Sequence, residues 1–377
     1  MVGIIAPWNF PLTLSFADVI PALMAGNTVV IKPSSATPLT VLAMWRIFMD
    51  SGFPKDVLQV IPATGQTAGE LIDSVDMIAF TGSTEIGKKI AERAGKRLIP
   101  ILLELGGKDP MIVLKDANIE RAVNAGVWDS LLNSGQVCMS TERIYVQEQI
   151  ADEFIDRVVG KVRSLRQGYS KDFNCDIGSM TSSEQLEIVK DQINDAVSKG
   201  AKILIGGKRT SKPGKGYFFE PTVVVDVNHN MKLMTEETFG PIIAIQRVRD
   251  EEEAINLAND SCYGLGSSIW TKDKRKGRKL ARGIQSGFVC INDVLSSYMV
   301  MELPFGGLKE SGLSMRHGPE GIRNFCNTQS VVIDRLGLNK DFGWYPYSPS
   351  INGKISRVLR LLYCRGLKKI ATVKRYS

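Results

Sequence analysis

Short apolar runs alternate with amphipathic stretches along the N-terminal part of this chain. The runs, rich in Val and Ile, predict strands over residues 2–6, 28–31, 57–61, 77–80 and 99–103. The stretches between them predict helices over residues 16–25, 38–51 and 84–94. Thr37 and Pro38 fit the second helix as N-cap and first-turn proline. This alternation indicates an α/β fold with a Rossmann-like, parallel, doubly wound sheet that binds a nucleotide.

A second α/β unit follows from about residue 109. Its pattern predicts helices over residues 119–132, 150–165 and 185–198, a strand over residues 202–205, and turns at residues 206–207 and 211–216. Residues 328–334 are Thr-Gln-Ser-Val-Val-Ile-Asp, a short polar and apolar segment whose Val and Ile residues predict one more strand. A chain of 377 residues is long enough to bury a large core and to divide into two or more domains.

The composition fits a globular protein and excludes several other classes. Hydrophobic residues make up 44% and charged residues 23% of the chain, and no apolar run reaches the ~18 residues of a membrane-spanning helix. The apolar start lacks a basic segment, which indicates a buried strand and not a signal peptide. The six cysteines form no CxxC pair, which predicts reduced thiols in a cytoplasmic protein and no metal site.

The net charge of +7 comes from one end of the chain. Residues 353–377 contain eight basic side chains and no acid, so the remainder has a net charge of −1. Ile355, Val358, Leu359 and Leu362 repeat at helical spacing, which predicts a basic amphipathic helix. Such a helix binds an anionic membrane surface or packs on its own protein, and the sequence leaves both open. Nucleic-acid binding is disfavoured because the basic residues form one short segment.

Cys138 is the most informative single residue. It lies in the segment Asn-Ser-Gly-Gln-Val-Cys-Met-Ser-Thr-Glu-Arg, residues 133–143, among small and polar side chains. Glu104, 34 positions earlier, follows an apolar run that would raise its pKa toward that of a general base. A nucleophilic cysteine and a carboxylate base suit covalent chemistry at a carbonyl. Taken singly, Cys138 also fits a buried thiol, and Glu104 fits a partner of Lys108.

Three other segments follow predicted strands, at the edge of a parallel sheet where ligands bind. Asn9 offers a rigidly held amide to an oxyanion, or it caps a turn. Lys32 can bind ribose hydroxyls or a 2′-phosphate, and the uncharged Ser35 permits that phosphate. Gly82 and Ser83 lie where a helix N-terminus presents N–H groups to a phosphate, although the usual GxGxxG pattern is absent.

Together these segments resemble the aldehyde dehydrogenase superfamily, over about residues 1–335. The motifs that carry the resemblance are Trp-Asn-Phe-Pro at 8–11, Phe-Thr-Gly-Ser at 80–83, Glu-Leu-Gly-Gly-Lys at 104–108, Gly-Gln-Val-Cys at 135–138, Glu-Thr-Phe-Gly-Pro at 237–241 and Pro-Phe-Gly-Gly at 304–307. The resemblance implies a dinucleotide-binding domain over residues 1–108 and a catalytic domain over residues 109–323. It further implies an oligomerisation strand over residues 324–336, before a basic tail over residues 337–377, and self-association as a dimer or tetramer.

The resemblance also implies the chemistry. Cys138 would attack an aldehyde to give a thiohemiacetal, whose oxyanion is bound by Asn9 and the Cys138 backbone N–H. Hydride would pass to NAD or NADP, and Glu104 would activate water to release the acid from the thioester. Cofactor contacts are implied at Trp8, Lys32, Ser35, Gly65, Gly82, Ser83, Glu237 and Phe239.

Two segments point to different substrates. Val137 and Met139 flank the cysteine with apolar groups, and residues 138–143 resemble enzymes that act on vanillin or benzaldehyde. Residues 316–322 instead resemble certain succinate-semialdehyde dehydrogenases, whose dicarboxylate product needs an arginine that the sequence does not locate. An aromatic or aliphatic aldehyde and a semialdehyde therefore both stay open, as do NAD and NADP.

One departure from the superfamily concerns the start of the chain. Family members carry a substantial segment before the first Rossmann strand, whereas this sequence begins at that strand, so we expect a fragment or a shortened variant. A catalytically silent remnant that retains the fold is therefore an alternative. A CoA-acylating enzyme is disfavoured because Glu104 is present.

Overall fold

A computed structural model describes residues 1–169, 171–210, 216–341 and 343–363. The chain forms two compact units, Met1–Asn327 and Thr328–Ser377. The strands are β1 (Val2–Ile5), β2 (Val29–Lys32), β3 (Leu58–Val60), β4 (Met77–Thr81), β5 (Ile101–Glu104), β6 (Asp109–Val113), β7 (Thr141–Gln147), β8 (Lys202–Ile205), β9 (Arg209–Thr210), β10 (Phe218–Phe219), β11 (Thr222–Val225), β12 (Ile242–Val248), β13 (Tyr263–Gly264), β14 (Ser268–Trp270), β15 (Cys290–Ile291), β16 (Leu308–Lys309) and β17 (Gly312–Leu313). The helices are α1 (Thr13–Met24), α2 (Pro38–Asp50), α3 (Gly65–Ser74), α4 (Thr84–Arg97), α5 (Ile119–Leu131), α6 (Glu148–Arg163), α7 (Ser183–Ser198), α8 (Lys232–Thr235), α9 (Glu251–Asn259), α10 (Lys274–Ala281), α11 (Ser296–Met299), α12 (Gly318–Arg323) and α13 (Pro349–Tyr363).

The first sheet has the strand order β17-β5-β4-β1-β2-β3 and is parallel except for β17. β1 lies inside it, with Ile5 paired to Lys32 of β2 and to Phe80 of β4. Val2 and Ile4 pack in an apolar cluster that includes α1, whereas Ile5 packs in a second cluster that includes α3. Helices on both faces explain why these strands are continuously apolar in sequence. The architecture confirms the predicted Rossmann-like parallel sheet.

The second sheet has the strand order β15-β14-β6-β7-β12-β11-β8 and is parallel except for β8. Helices α5 and α6 contribute to the apolar cluster on one face, and α7 and α9 contribute to the cluster on the other. Strand β17 returns from this region to pair Gly312 with Glu104 at the end of β5. The loop from α5 to β7, residues 132–140, carries Cys138. Both sheets belong to the first compact unit, so the predicted boundary at residue 108 stays a prediction.

The predicted elements agree with the structure to within about three residues at their ends. The helix expected over residues 16–25 begins earlier, at Thr13, and the strand expected over residues 202–205 has those bounds. Thr37 takes the N-cap position of α2, but its hydroxyl donates to the Trp8 carbonyl oxygen and makes no cap. The expected turn over residues 211–216 falls mostly outside the described residues.

The prediction of a strand over residues 328–334 is wrong for the single chain. These residues have no strand geometry, and Val331, Val332 and Ile333 are 74%, 94% and 77% exposed. A strand needs a neighbour for its backbone hydrogen bonds, and no described segment of the chain pairs with this one. Pairing with another chain stays a prediction.

The second compact unit contains α13, within the predicted amphipathic tail. Val358, Leu359 and Leu362 are exposed on it, and residues 364–377, with five of the eight basic side chains, lie outside the described residues. No helix in the described ranges is both long and apolar enough to cross a membrane.

Candidate active site

The loop that carries Cys138 has an unusual backbone. Residues 133–135 all have positive φ, and Gly135 has a φ of 75°. A Cβ at Gly135 would lie 2.0 Å from the carbonyl oxygen of Gly240, so only glycine fits without displacing the backbone. Cys138 follows in a half-buried position and is a free thiol. The loop therefore presents the sulfur from a tightly constrained backbone.

Asn9 lies against this loop. Its Nδ2 donates to the carbonyl oxygen of Gln136 at 3.0 Å, and Asn133 Nδ2 donates to the Asn9 carbonyl oxygen at 3.2 Å. Gln136 is held in turn by a bond from its Nε2 to the Asn133 carbonyl oxygen at 2.8 Å. The segment after β1 and the Cys138 loop are thus joined directly. An amide has two donor hydrogens, so one hydrogen of Asn9 stays available beyond the bond to Gln136.

Glu104 lies at the end of β5 and is 2% exposed. Burial raises its pKa, and this increase is opposed first by the positive charge of Arg316 and then by the nearby Cys138 thiol. Burial also raises the pKa of Cys138, and the negative charge of Glu104 raises it further. The two groups therefore lie near enough for each to change the pKa of the other. The predicted alternative, in which Glu104 pairs with Lys108, is wrong because Lys108 binds Glu142 at 2.5 Å.

One cavity of about 250 Å³ joins the Cys138 loop to the first sheet. Seven residues singled out in the sequence line it: Trp8, Asn9, Gly82, Ser83, Cys138, Glu237 and Phe239. The rings of Trp8 and Phe239 meet edge to face, 5.4 Å between centroids. Glu237 Oε1 accepts the Gly107 N–H at 3.1 Å. Burial, followed by the charge of Glu142, raises the pKa of Glu237 to about 8.

Three of the predicted cofactor residues do not line this cavity: Lys32, Ser35 and Gly65. Lys32 ends β2 beside β1, and its Nζ is buried and donates to the Pro33 carbonyl oxygen at 3.1 Å. Burial lowers the pKa of Lys32. Ser35 and Gly65 are exposed, and Gly65 begins α3 with open space around its Cα. These residues lie at or beyond the carboxyl ends of β2 and β3, and none of them lines the Cys138 cavity.

A second cavity, of about 260 Å³, reaches Cys138 from another side. Apart from the thiol and the hydroxyls of Thr13 and Tyr298, its walls are apolar: Phe10, Leu14, Trp128, Leu132, Val137, Met139, Leu295 and Met299. None of its described lining residues carries a charge. Val137 and Met139, the apolar neighbours of the nucleophile in sequence, are both on its wall.

A larger surface cleft, of about 680 Å³, shares Trp128, Leu295 and Met299 with this apolar cavity. It contains Arg121, whose Nε donates to the Asn292 carbonyl oxygen at 3.2 Å. None of the predicted site residues lines the cleft, so its size alone does not mark it as a reaction site. In the described part of the chain, no group of three or more His, Cys, Asp or Glu side chains could hold a metal ion.

Sequence reasoning missed two buried networks around the site. In one, Lys108 and Glu142 connect β5 and β7 to the segment that carries Glu237. In the other, Arg316 and Asp18 lie behind Glu104. Lys108, Glu142 and Arg316 stand in segments that the sequence analysis singled out, whereas Asp18 does not, and only the fold shows which charged side chains become partners.

Comparisons with known proteins agree with this geometry. The model of the aldehyde dehydrogenase family matches residues 1–331. A Mycobacterium ulcerans protein named "Putative succinate-semialdehyde dehydrogenase (NADP(+)) 2" is 42% identical over 339 residues, which are 89% of this chain and 65% of that protein. A Methylomonas protein named "4,4'-diapolycopene aldehyde oxidase" is 42% identical over 353 residues, 93% of this chain and 65% of that protein.

Solved structures show the same relationship. The structure of a putative aldehyde dehydrogenase from Anabaena variabilis has a TM-score of 0.87 at 42% identity, covering 92% of this chain and 74% of that one. A Mycobacterium tuberculosis aldehyde dehydrogenase complexed with NAD+ has a TM-score of 0.85 at 38% identity, covering 88% and 69%. The chain spans 65% of the length of the two curated relatives described above. With its sheets, its motifs and these matches, the chain belongs to the aldehyde dehydrogenase family.

Proposed function

We propose that this chain carries the reaction centre of a hydrolytic NAD(P)-dependent aldehyde dehydrogenase. The observation that carries the proposal is the position of Cys138 where two cavities meet. One cavity contains five of the eight predicted cofactor residues, and the other is apolar and suits the carbon skeleton of an aldehyde. Asn9 and Glu104 flank the thiol, so a donor for an oxyanion and a base are both within the same site.

In the first step, Glu104 accepts the proton of the Cys138 thiol. This transfer is needed because burial and the nearby carboxylate keep the thiol protonated. The thiolate then attacks the aldehyde carbon and forms a C–S bond, which leaves a negative charge on the former carbonyl oxygen. The free amide hydrogen of Asn9 and the backbone N–H of Cys138 bind that oxygen.

The cofactor side of the site fits a dinucleotide. Ser83 is the N-cap residue of α4 and makes no cap with its hydroxyl, so the hydroxyl and the helix N-terminus are both free for a phosphate. A bound NAD or NADP supplies the acceptor for the hydride that leaves the thiohemiacetal carbon. Lys32 and Ser35 suit the adenosine ribose, and Gly65 suits the adjacent helix start. Glu237, beside Phe239, suits the nicotinamide ribose.

Before hydrolysis, Glu104 releases to solvent the proton that it took from Cys138. In the last step, Glu104 removes a proton from water, which attacks the thioester carbon. The C–S bond breaks, the carboxylic acid leaves, and the thiol of Cys138 is restored by the proton that Glu104 holds. The raised pKa of Glu104 makes its carboxylate a better base than an ordinary glutamate. Over the full cycle one aldehyde, one water and one NAD(P)+ give one acid, one NAD(P)H and one proton.

For the substrate we propose an uncharged aromatic or aliphatic aldehyde. The apolar cavity supports it, because a carboxylate placed there would lose its hydration without gaining a cationic partner. The mycobacterial relative named for succinate semialdehyde favours the alternative, a semialdehyde whose carboxylate would reach Arg121 in the adjoining cleft. Comparing kcat/KM for benzaldehyde and succinate semialdehyde separates the two. An Arg121→Ala variant should change neither value under our proposal and should raise KM for the semialdehyde under the alternative.

A peripheral membrane contact through α13 is a proposal about the second unit alone. Exposed Val358 and Leu359 lie on a helix that also carries Arg357 and Arg360, a composition that suits an anionic lipid surface. Deleting residues 351–377 should abolish co-sedimentation with vesicles rich in phosphatidylserine. Unchanged pelleting would contradict the contact.

Self-association through residues 328–334 is likewise a proposal, which the mass in solution tests.

The proposed activity is tested by measuring NAD(P)H formation with a panel of aldehydes. Wild-type protein should reduce the cofactor, Cys138→Ala should not, and Cys262→Ala, which removes another free thiol, should behave as wild type. A folded wild-type sample that turns over no aldehyde with either cofactor would favour the alternative, a catalytically silent remnant. Turnover that requires CoA would contradict the hydrolytic step.

A further inference from the structure

A buried arginine lies against the carboxyl group of Glu104. Arg316 is 3% exposed, and its Nη1 is 3.4 Å from Glu104 Oε2. Its Nε and Nη2 donate to the two carboxylate oxygens of Asp18 at 2.8 and 2.6 Å. Nη2 also donates to Thr81 Oγ1 at 2.5 Å. One planar guanidinium therefore bridges two buried carboxylates.

The partners of this guanidinium come from separate, rigid parts of the fold. Asp18 lies on α1, Thr81 ends β4 and Glu104 ends β5. The backbone of Arg316 is fixed by two hydrogen bonds with Phe305, at 2.8 and 2.6 Å. The bidentate bond to Asp18 fixes the plane of the Arg316 guanidinium. The direction of Nη1 toward Glu104 is therefore fixed as well.

The two oxygens of Glu104 have different surroundings. Oε2 is held by Arg316, whereas Oε1 is buried and has no hydrogen-bond partner among the described residues. An unpartnered buried carboxylate oxygen is costly unless it has a task. With one oxygen held, the carboxyl group cannot rotate freely, and the other oxygen stays available beside Cys138.

We infer that Arg316, oriented by Asp18, is a positioning residue that holds Glu104 in the orientation needed to activate water for thioester hydrolysis. The inference rests on the proposed function, in which Glu104 is the base of that step. Arg316 itself touches neither substrate nor cofactor in this account. Its two effects are to fix the carboxyl group and, together with Asp18, to balance the charge next to it.

Arg316 and Asp18 have opposite effects on the pKa of Glu104, so their variants should have opposite effects too. Arg316 lowers the pKa of Glu104 and Asp18 raises it. Apart from these two, the described titratable groups that interact with Glu104 include Cys138, Tyr298 and Glu237. All three stay unchanged in variants of the pair. Removing the arginine charge should therefore raise the pKa of Glu104, and removing the aspartate charge should lower it.

The test follows the acyl adduct on Cys138 by rapid-quench intact mass spectrometry across the pH range in which the protein is folded. Wild-type protein is mixed with benzaldehyde and NAD(P)+ to form the adduct, and the rate constant for loss of the adduct is then measured. Since the Glu104 carboxylate is the active form, the rate constant for hydrolysis falls as the pH decreases below the pKa of Glu104. A plot of this rate constant against pH therefore has an acid limb and, at higher pH, a plateau. Arg316→Met should move this acid limb to higher pH by about 1 unit and slow hydrolysis on the plateau roughly 10-fold. Asp18→Asn should move the limb to lower pH.

Controls separate positioning from folding. Arg323→Met removes an exposed arginine from a surface pair with Glu320 and should leave the limb unchanged. If Arg316→Met does not fold, Arg316→Lys is tested instead, because lysine keeps the charge but cannot make the bidentate bond. This variant should keep the acid limb of wild type and have a lower hydrolysis rate constant on the plateau. Wild-type limbs in both Arg316→Met and Asp18→Asn would overturn the inference, as would a wild-type limb in Asp18→Asn together with a wild-type plateau in Arg316→Lys where only the lysine variant folds. In each case an acyl adduct on Cys138 would still support the proposed function. A wild-type protein that forms no adduct would overturn the proposed function and the inference with it.

Discussion

Lys108 Nζ lies 2.5 Å from Glu142 Oε2, and both side chains are buried. Lys108 also donates to Thr238 Oγ1 at 2.8 Å, and Glu142 accepts the backbone N–H groups of Thr238 and Phe239 at 2.8 and 2.9 Å. The pair therefore ties the segment after β5 to the start of β7 and to the segment after α8. This connection fixes Glu237 and Phe239 relative to the Cys138 loop.

The Lys108–Glu142 pair should contribute strongly to stability. Lys108→Met leaves the Glu142 carboxylate buried without its cation, so we expect the free energy of unfolding to fall by roughly 3–5 kcal/mol. Lys190→Met is the matched control, because Lys190 pairs with Glu187 at the surface and should contribute at most about 1 kcal/mol. Urea denaturation measures both variants, and equal losses would contradict the role given to the buried pair.

Gly135 should be needed for both folding and chemistry. In Gly135→Ala the new Cβ meets the Gly240 carbonyl oxygen at 2.0 Å and the residue keeps a φ of 75°, so the Cys138 loop must shift. We expect NAD(P)H formation to fall by about 100-fold, the effect of a ~1 Å misplacement at a reaction centre. Gly52→Ala is the control, since Gly52 has a φ of 82° with open space around it. It should cost about 1–2 kcal/mol of stability and no activity.

The parts of this site that could be predicted from sequence are those that depend on local pattern. The strand ends that hold Asn9 and Glu104 follow from apolar runs, and Cys138 stands out because small and polar residues surround it. Arg316 and Asp18 are 298 positions apart, and nothing in either segment indicates that they meet. Such partners are chosen by tertiary packing, which a single sequence does not encode in a local pattern.

Residues 328–334 show the opposite failure. Their run of Val and Ile residues is typical of a strand, yet no described segment of the chain pairs with them. Residue composition predicts a local preference for extended backbone but not whether a partner strand exists. The prediction therefore described a local preference that the chain by itself does not fulfil.

Asp129 should make stability depend on pH. Burial raises its pKa to about 7 from an unfolded value of 3.8. Between these values the folded state binds the proton and the unfolded state has released it, so the free energy of unfolding decreases as pH rises from about 4 to about 7. Asp129→Asn should remove at most about 4 kcal/mol of this decrease, measured by urea denaturation against pH.

A control for the pH effect is Asp176→Asn. Arg166 lowers the pKa of Asp176 to about 2, so its contribution is present above an unfolded value of 3.8 and is lost as pH falls toward 2. This variant should keep the wild-type slope between pH 4 and pH 7. If Asp129→Asn also kept that slope, the decrease would not come from Asp129.

The central claim is that Cys138 carries the acyl group and that Glu104 is required to release it. Glu104→Gln removes the base for hydrolysis but keeps the size of the side chain. It also removes the negative charge that raises the pKa of the Cys138 thiol, so the thiol loses its proton to solvent and forms the acyl adduct, more slowly than in the wild type. The measurement is a single mixing experiment with aldehyde and NAD(P)+ followed by peptide mass mapping. We predict a burst of NAD(P)H of at most one equivalent per site, with the acyl group retained on Cys138. Continued turnover at the wild-type rate, or an acyl group mapped to Cys262 or Cys290, would contradict the account.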